Sequence, residues 1–185
     1  MNEGNKSETA ERAKNTGGAA EQGRPGGGTA AAPAGAGAAA GSAAGGIRSG
    51  ETVVAAADGS LEAVQTFVDE YMERLNPSGQ ARMHVALAVE EIFVNIAHYA
   101  YAPGEAGAAT VRCEADAGTG RLTVVFTDGG APYDPLAKAD PDVTLPLEER
   151  PIGGLGIFIT KRLMDAVDYR FENGKNVLTI VKNVK

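Results

Sequence analysis

The feature that most limits what this chain can fold into is an abrupt change of composition near residue 50. Residues 1–50 are glycine, alanine, proline and scattered polar residues, as in GRPGGGTAAAPAGAGAAAGSAAGG, with no aromatic residue among them. Such a segment cannot bury enough apolar surface to offset the entropy lost on ordering. A disordered tail is expected over residues 1–50, and the fold must come from residues 51–185. With 43% hydrophobic residues in a chain of 185, that remainder suits one domain with a real core. The opening starts with an acid and is broken by glycine, unlike the basic start and compact apolar core of a secretory signal. No unbroken apolar run is long enough for a transmembrane helix, so a cytoplasmic location without a membrane partner is expected.

Charge narrows the partners further. A net charge of −7 and a pI near 4.9 argue against a nucleic-acid surface. Cys113 is the single cysteine, which excludes an intrachain disulfide and a cysteine-rich metal site. It fits a small buried residue in a strand. Two histidines are too few for a zinc site.

Periodicity orders the rest as strand, helix, helix, two strands, loop, helix, two strands. ETVVAAA from Glu51 predicts a first strand, and SLEAVQTFVDEYMERLN a helix with Ser60 as N-cap. A second helix is predicted over 80–101, ended by APGEAG. ATVRCEA and RLTVVFTD flank DAGTG as an antiparallel hairpin, and DYRFENGKNVLTIVK closes the chain as another. Residues 134–151, rich in Pro and Asp, predict a long loop of the kind used as lids and binding loops. The expected class is α+β, with a largely antiparallel sheet carrying helices on one face.

The second helix contains VALAVEEIFVNIAHYAY, apolar except for a narrow polar seam. Glu91, Asn95 and His98 are spaced by four and three and share one face, which His84 and Ala88 extend. Ala86, Val89, Phe93, Ile96 and Ala100 form the apolar face. Glu90 fits an ordinary surface acid. Glu91 and Asn95 instead place a carboxylate able to act as general base one turn from an amide oxygen suited to Mg²⁺.

Two glycine clusters follow. In FTDGGAPYDP, Asp128 ends a strand before Gly129 and Gly130. That is ordinary turn chemistry, or an acceptor carboxylate beside glycines that let a flat ligand approach the backbone. In GGLGIF, Gly153, Gly154 and Gly156 lead into a helix whose N-terminal N–H groups and dipole favour anions. The pattern is neither a P-loop nor a dinucleotide fingerprint. Arg150 upstream and Lys161 downstream could add positive charge near a polyphosphate, or simply be solvated.

Taken in order, EIFVN, DGG and GGLG before a helix resemble the GHKL ATP-binding fold shared by DNA gyrase, histidine kinases and anti-sigma-factor serine kinases. The resemblance covers 51–185, and AYAP with the closing segment GGLGIFITKRLMDAVDYRFENGKNVLTIVK looks most like the anti-sigma-factor kinase branch. It implies a two-layer α/β sandwich with a mixed, largely antiparallel sheet, and ATP and Mg²⁺ as cofactors. It implies Glu91 as catalytic base, Asn95 as Mg²⁺ ligand, and Asp128 as the adenine-binding carboxylate. Gly130 matches the flat-approach glycine, and Gly154 and Gly156 the phosphate-loop glycines, with Arg150 beside them and 134–151 as an ATP lid. The implied activity is phosphorylation of a serine on an anti-sigma-antagonist protein of the STAS type. A sigma factor is a further implied partner, bound in many members by a homodimer. The alternative is a non-catalytic ATP-binding partner-switch module; a histidine kinase fragment fits less well, for want of a dimerisation helix carrying a phospho-accepting histidine. Two departures stand out. Pro132 stands where the family often has glycine, and Lys175 and Asn176 where it often has Gly-Thr, so no binding residue is carried over there.

Overall fold

The computed structural model describes residues 46–137, 139 and 154–184. Arg150, Gly153, most of the predicted lid and nearly all of the predicted tail lie outside them. Five strands and three helices are present among the described residues: β1 Ile47–Ala55, α1 Leu61–Glu73, α2 Gly79–Tyr99, β2 Ala108–Asp116, β3 Arg121–Asp128, α3 Leu155–Leu163, β4 Ala166–Glu172 and β5 Lys175–Asn183. The strands form one sheet in the order β1-β2-β3-β5-β4. Every pairing is antiparallel, so the expected largely antiparallel character is complete among the described strands.

The alternation of β2 and β3 explains the two layers. Ala109, Val111, Cys113 and Ala115 on β2, and Leu122, Val124 and Phe126 on β3, are buried at every second position. They meet Val64, Val68 and Met72 of α1, and Val85, Val89, Ile92 and Phe93 of α2, in one core. Full burial of a side chain such as Phe93 or Phe126 contributes about 1.5–3 kcal/mol, so this layer contact carries the fold. Cys113 lies in the core as expected, and burial pushes its thiol far up.

Local signals hold the ends. Ser78 caps α2, its Oγ accepting from Ala81 N–H at 3.1 Å. Ser60 precedes α1 without a side-chain cap bond, because a 3-10 turn over Asp58–Ser60 already leads into the helix. The β4–β5 hairpin turns on Asn173 and Gly174, both at positive φ (53° and 74°), the backbone that a two-residue hairpin loop demands.

Three expectations change. The first strand starts at Ile47, not Glu51, and pairs with β2 out to Asp116. Tyr71 of α1 fills the space beside Gly50, where any β-carbon would collide with its hydroxyl. On α2 the inward stripe is Ala81, Val85, Ala88, Val89, Ile92, Phe93 and Ile96, so Ala88 belongs to the core and Ala86 is exposed. The polar seam is therefore interrupted, and His98 leaves it: its Nε2 lies 2.7 Å from Asp58 Oδ1 on the surface.

Candidate functional site: a cavity between α2, α3 and the β3–β5 strand ends

The inward face of β3 runs Leu122, Val124, Phe126 and then Asp128, so strand periodicity turns this carboxylate toward the helices. The register with β5 makes the break in chemistry explicit. Val124 faces Ile180 and Phe126 faces Leu178, and then Asp128 faces Asn176. A polar pair thus ends a ladder of apolar ones. Both residues are 7% exposed.

Buried polar groups at such a position need partners. Asp128 Oδ1 accepts from Gly130 N–H at 2.9 Å and from Asn176 Nδ2 at 2.8 Å. Among the described residues nothing bonds Oδ2, and Asp128 lines a cavity of about 540 Å³. Asn176 also donates to Ala131 O at 3.0 Å, while its Oδ1 accepts from Tyr169 Oη at 2.7 Å and Tyr133 N–H at 3.2 Å. Burial pushes the Tyr169 hydroxyl above its ordinary value, opposed by the Tyr133 backbone and aided by the negative charges of Asp134 and Asp128.

Asn95 of α2 lines the same cavity, and Ile96, Phe126, Ile157 and Leu178 supply apolar walls. Asn95 Nδ2 donates to Glu91 O at 2.6 Å, one helical turn back. This bond orients the amide so that Oδ1 is the atom left for a ligand.

The glycines divide by what they touch. Gly154 is the N-cap of α3 with φ 88°, a left-handed backbone that favours glycine, and it lines the cavity. The first helical bond of α3 is Phe158 N–H to Gly154 O at 3.2 Å, so the N–H groups before Phe158 have no intrahelical acceptor. Gly156 lies inside the first turn, where a β-carbon would strike the Glu91 carboxylate; that contact sets Glu91 against α3. Gly130 packs on the end of α2, where a β-carbon would meet the Ala100 backbone, and the next residue bonds it, Ala131 N–H to Ala100 O at 2.9 Å.

The structure therefore brings Asn95, Asp128 and Gly154 onto one cavity, with Glu91 and Gly156 in contact with each other and Gly130 closing the turn behind Asp128. Glu90 is exposed. Two residues emerge that sequence reasoning did not assign. Asn176 is one; the one hint in the sequence was its place where the family often has Gly-Thr, and the β3–β5 register sets it opposite Asp128. Tyr101 is the other, accepting from Gly129 N–H at 3.0 Å and donating to Ala108 O at 2.6 Å, which ties the end of α2 to the Asp-Gly-Gly turn.

An antiparallel sheet under helices, with a carboxylate at a strand end facing a polar helix turn and a glycine N-cap, defines a class. The chain belongs to the histidine kinase-like ATPase domain family, whose pattern matches residues 54–182. Membership makes this an ATP-binding domain of GHKL type. The chain is 26% identical over 106 residues to the serine/threonine-protein kinase BtrW of Bordetella bronchiseptica, across 57% of this chain and 73% of that protein. Its fold is similar to the crystal structure of the RsbU and RsbW domains of Rv1364c from Mycobacterium tuberculosis, with a TM-score of 0.53 and 12% identity. That similarity spans 74% of this chain but 32% of the other, so the chain matches about a third of the larger protein. Among the described residues no helix is long and apolar enough to cross a membrane.

Proposed function

We propose that the chain is a Mg·ATP-dependent serine/threonine kinase of the anti-sigma-factor type, acting on a serine of a STAS-type antagonist protein. The observation that carries this reading is the cavity itself, lined by both Asp128, with its unspent Oδ2, and Asn95, with Glu91 one helical turn back on α2 against Gly156. Adenine would place its exocyclic amine on Asp128 Oδ2. The triphosphate would run toward the N-terminus of α3, where Gly154 and N–H groups without an intrahelical acceptor suit anions.

Among the described residues no group of three His, Cys, Asp or Glu side chains could cage a metal. A single hard oxygen from Asn95 fits Mg²⁺, which usually takes one or two protein oxygens plus waters and substrate phosphates. When bound, it would neutralise phosphate charge. Glu91 would accept the serine hydroxyl proton as the serine oxygen bonds to the γ-phosphorus and the bond to ADP breaks. Similarity to a serine/threonine-protein kinase supports this reading, and a base held against α3 is a feature that a pure binding module does not require.

Calorimetric titration with ATP, with and without Mg²⁺, tests the site on wild type and Asp128→Asn. The substitution keeps an acceptor for Asn176 and Gly130 but turns an N–H donor toward the amine. Wild type should bind, and Asp128→Asn should bind about a hundredfold more weakly. Absence of binding to wild type would refute the assignment. Nucleotide binding without phosphoserine on an antagonist protein would leave a partner switch that works by sequestration.

A further inference from the structure

The sequence offered no role for Asn176, yet it makes more hydrogen bonds around the cavity than any residue assigned to it. It bonds four residues on two pieces of chain: Asp128 at the end of β3, Ala131 just beyond it and Tyr133 at the root of the following loop on one, and Tyr169 of β4 on the other. Its neighbours dictate which way the amide faces. Tyr133 N–H can only donate, so Oδ1 must lie on that side. Ala131 O can only accept, so Nδ2 must lie on the other. The Tyr169 hydroxyl, donating to Oδ1 at 2.7 Å, reinforces the same orientation.

The consequence falls on Asp128. With Asn176 and Gly130 N–H both on Oδ1, that oxygen is committed, and the carboxylate plane cannot rotate without breaking two bonds. Only Oδ2 can meet a ligand. We infer that Asn176 is a specificity-determining positioning residue, which holds Asp128 as a fixed one-oxygen acceptor for a purine carrying an amine rather than a carbonyl at its six position. This rests on the assignment of the cavity to an adenine nucleotide. It adds a device that the Asp128 side chain alone does not supply, since an untethered carboxylate could swing away and let a carbonyl approach.

The test compares ATP with inosine triphosphate, which differs at that purine position, by calorimetry on wild type and three variants. Wild type should favour ATP. Asn176→Ala should reduce the ATP-to-ITP affinity ratio about tenfold, through loss of a hydrogen bond to a charged group. Asn176→Asp sets a second carboxylate against Asp128 in nearly the same shape. It should weaken ATP binding about tenfold or more at neutral pH and recover much of it near pH 5, where one proton shared by the facing carboxylates restores a donor. Tyr169→Phe, which removes one of the two donors orienting the amide, should shift the ratio in the same direction by a smaller factor, about threefold. It gives a reading even if Asn176→Ala fails to fold. An unchanged ratio in foldable Asn176 variants overturns the inference, whether or not overall affinity falls, because a merely structural residue would weaken both nucleotides alike. Wild type that binds neither nucleotide overturns the underlying site assignment as well.

Discussion

Two clefts of nearly equal size flank α2, about 470 Å³ on the α1 side and about 540 Å³ on the β3–β5 side. Their apolar linings are alike: Val68, Met72, Val85 and Val89 in one, Ile96, Phe126, Ile157 and Leu178 in the other. What differs is the state of their polar atoms. On the α1 side Arg82 Nη1 reaches Asp69 Oδ1 at 2.6 Å and Glu73 Oε1 at 3.9 Å, so charge is answered by charge at an exposed rim. On the other side Asn176 is bonded through both amide atoms, but its neighbours are only half committed. Among the described residues Asp128 and Asn95 spend one atom on the protein and leave one oxygen over, and the first N–H groups of α3 have no intrahelical acceptor. Volume does not mark a site here; oriented, unspent polar atoms do.

The comparison can be broken from either side. The largest effect is expected at Gly130, where a β-carbon would meet the Ala100 backbone, which has nowhere to go. Gly130→Ala should lower stability by about 2–3 kcal/mol in urea titration, the scale of overpacking against a rigid neighbour. A loss near zero would show that the turn behind Asp128 is soft. Next comes Gly156→Ala, whose β-carbon would meet only the mobile end of Glu91. Stability should hold or rise slightly, since alanine favours a helix over glycine by about 1 kcal/mol. Phosphotransfer to an antagonist protein should slow about a hundredfold as Glu91 is displaced, the lower end of what a positioned base contributes. An unchanged rate would remove Glu91 from the chemistry. The smallest effect belongs to the α1 side: Arg82→Ala should change stability by under about 1 kcal/mol, as exposed ion pairs usually do. It should leave ATP affinity untouched; a lower affinity would show that the two clefts communicate through α2.

Much of the fold is legible in the sequence. The helix predicted over 80–101 is Gly79–Tyr99, because an apolar period between NPSG and APGEAG leaves little freedom. The two hairpins follow from β-branched runs around Asp-Ala-Gly and Asn-Gly turns. Asp128 at a strand end is also a sequence fact, since alternation from Leu122 fixes its face. The misreadings share one cause. Ala86 and Ala88 are the same residue type, and only the position of α1 and the sheet decides which of them is inside. His98 belongs by spacing to the seam with Asn95, yet Asp58, 40 residues away in sequence, draws it to the surface.

By itself, then, the sequence determined the elements and the antiparallel hairpins, because these depend on local periodicity and turn chemistry, and its ordered motifs carried the resemblance to the family and a list of candidate nucleotide-binding residues. Tertiary structure decided the pairings between distant pieces of chain. Ser49 and Gly50 look like strand breakers, but β2 supplies their partners and Tyr71 fills the gap, so β1 reaches back to Ile47. Gly156 looks like a loop glycine, but it lies inside a helical turn against Glu91. Asn176, with nothing in its flanking residues to mark it, becomes the partner of Asp128 because the β3–β5 register sets them opposite each other. Register between strands 48 residues apart is fixed by the burial of whole faces, and no short stretch of sequence contains that information.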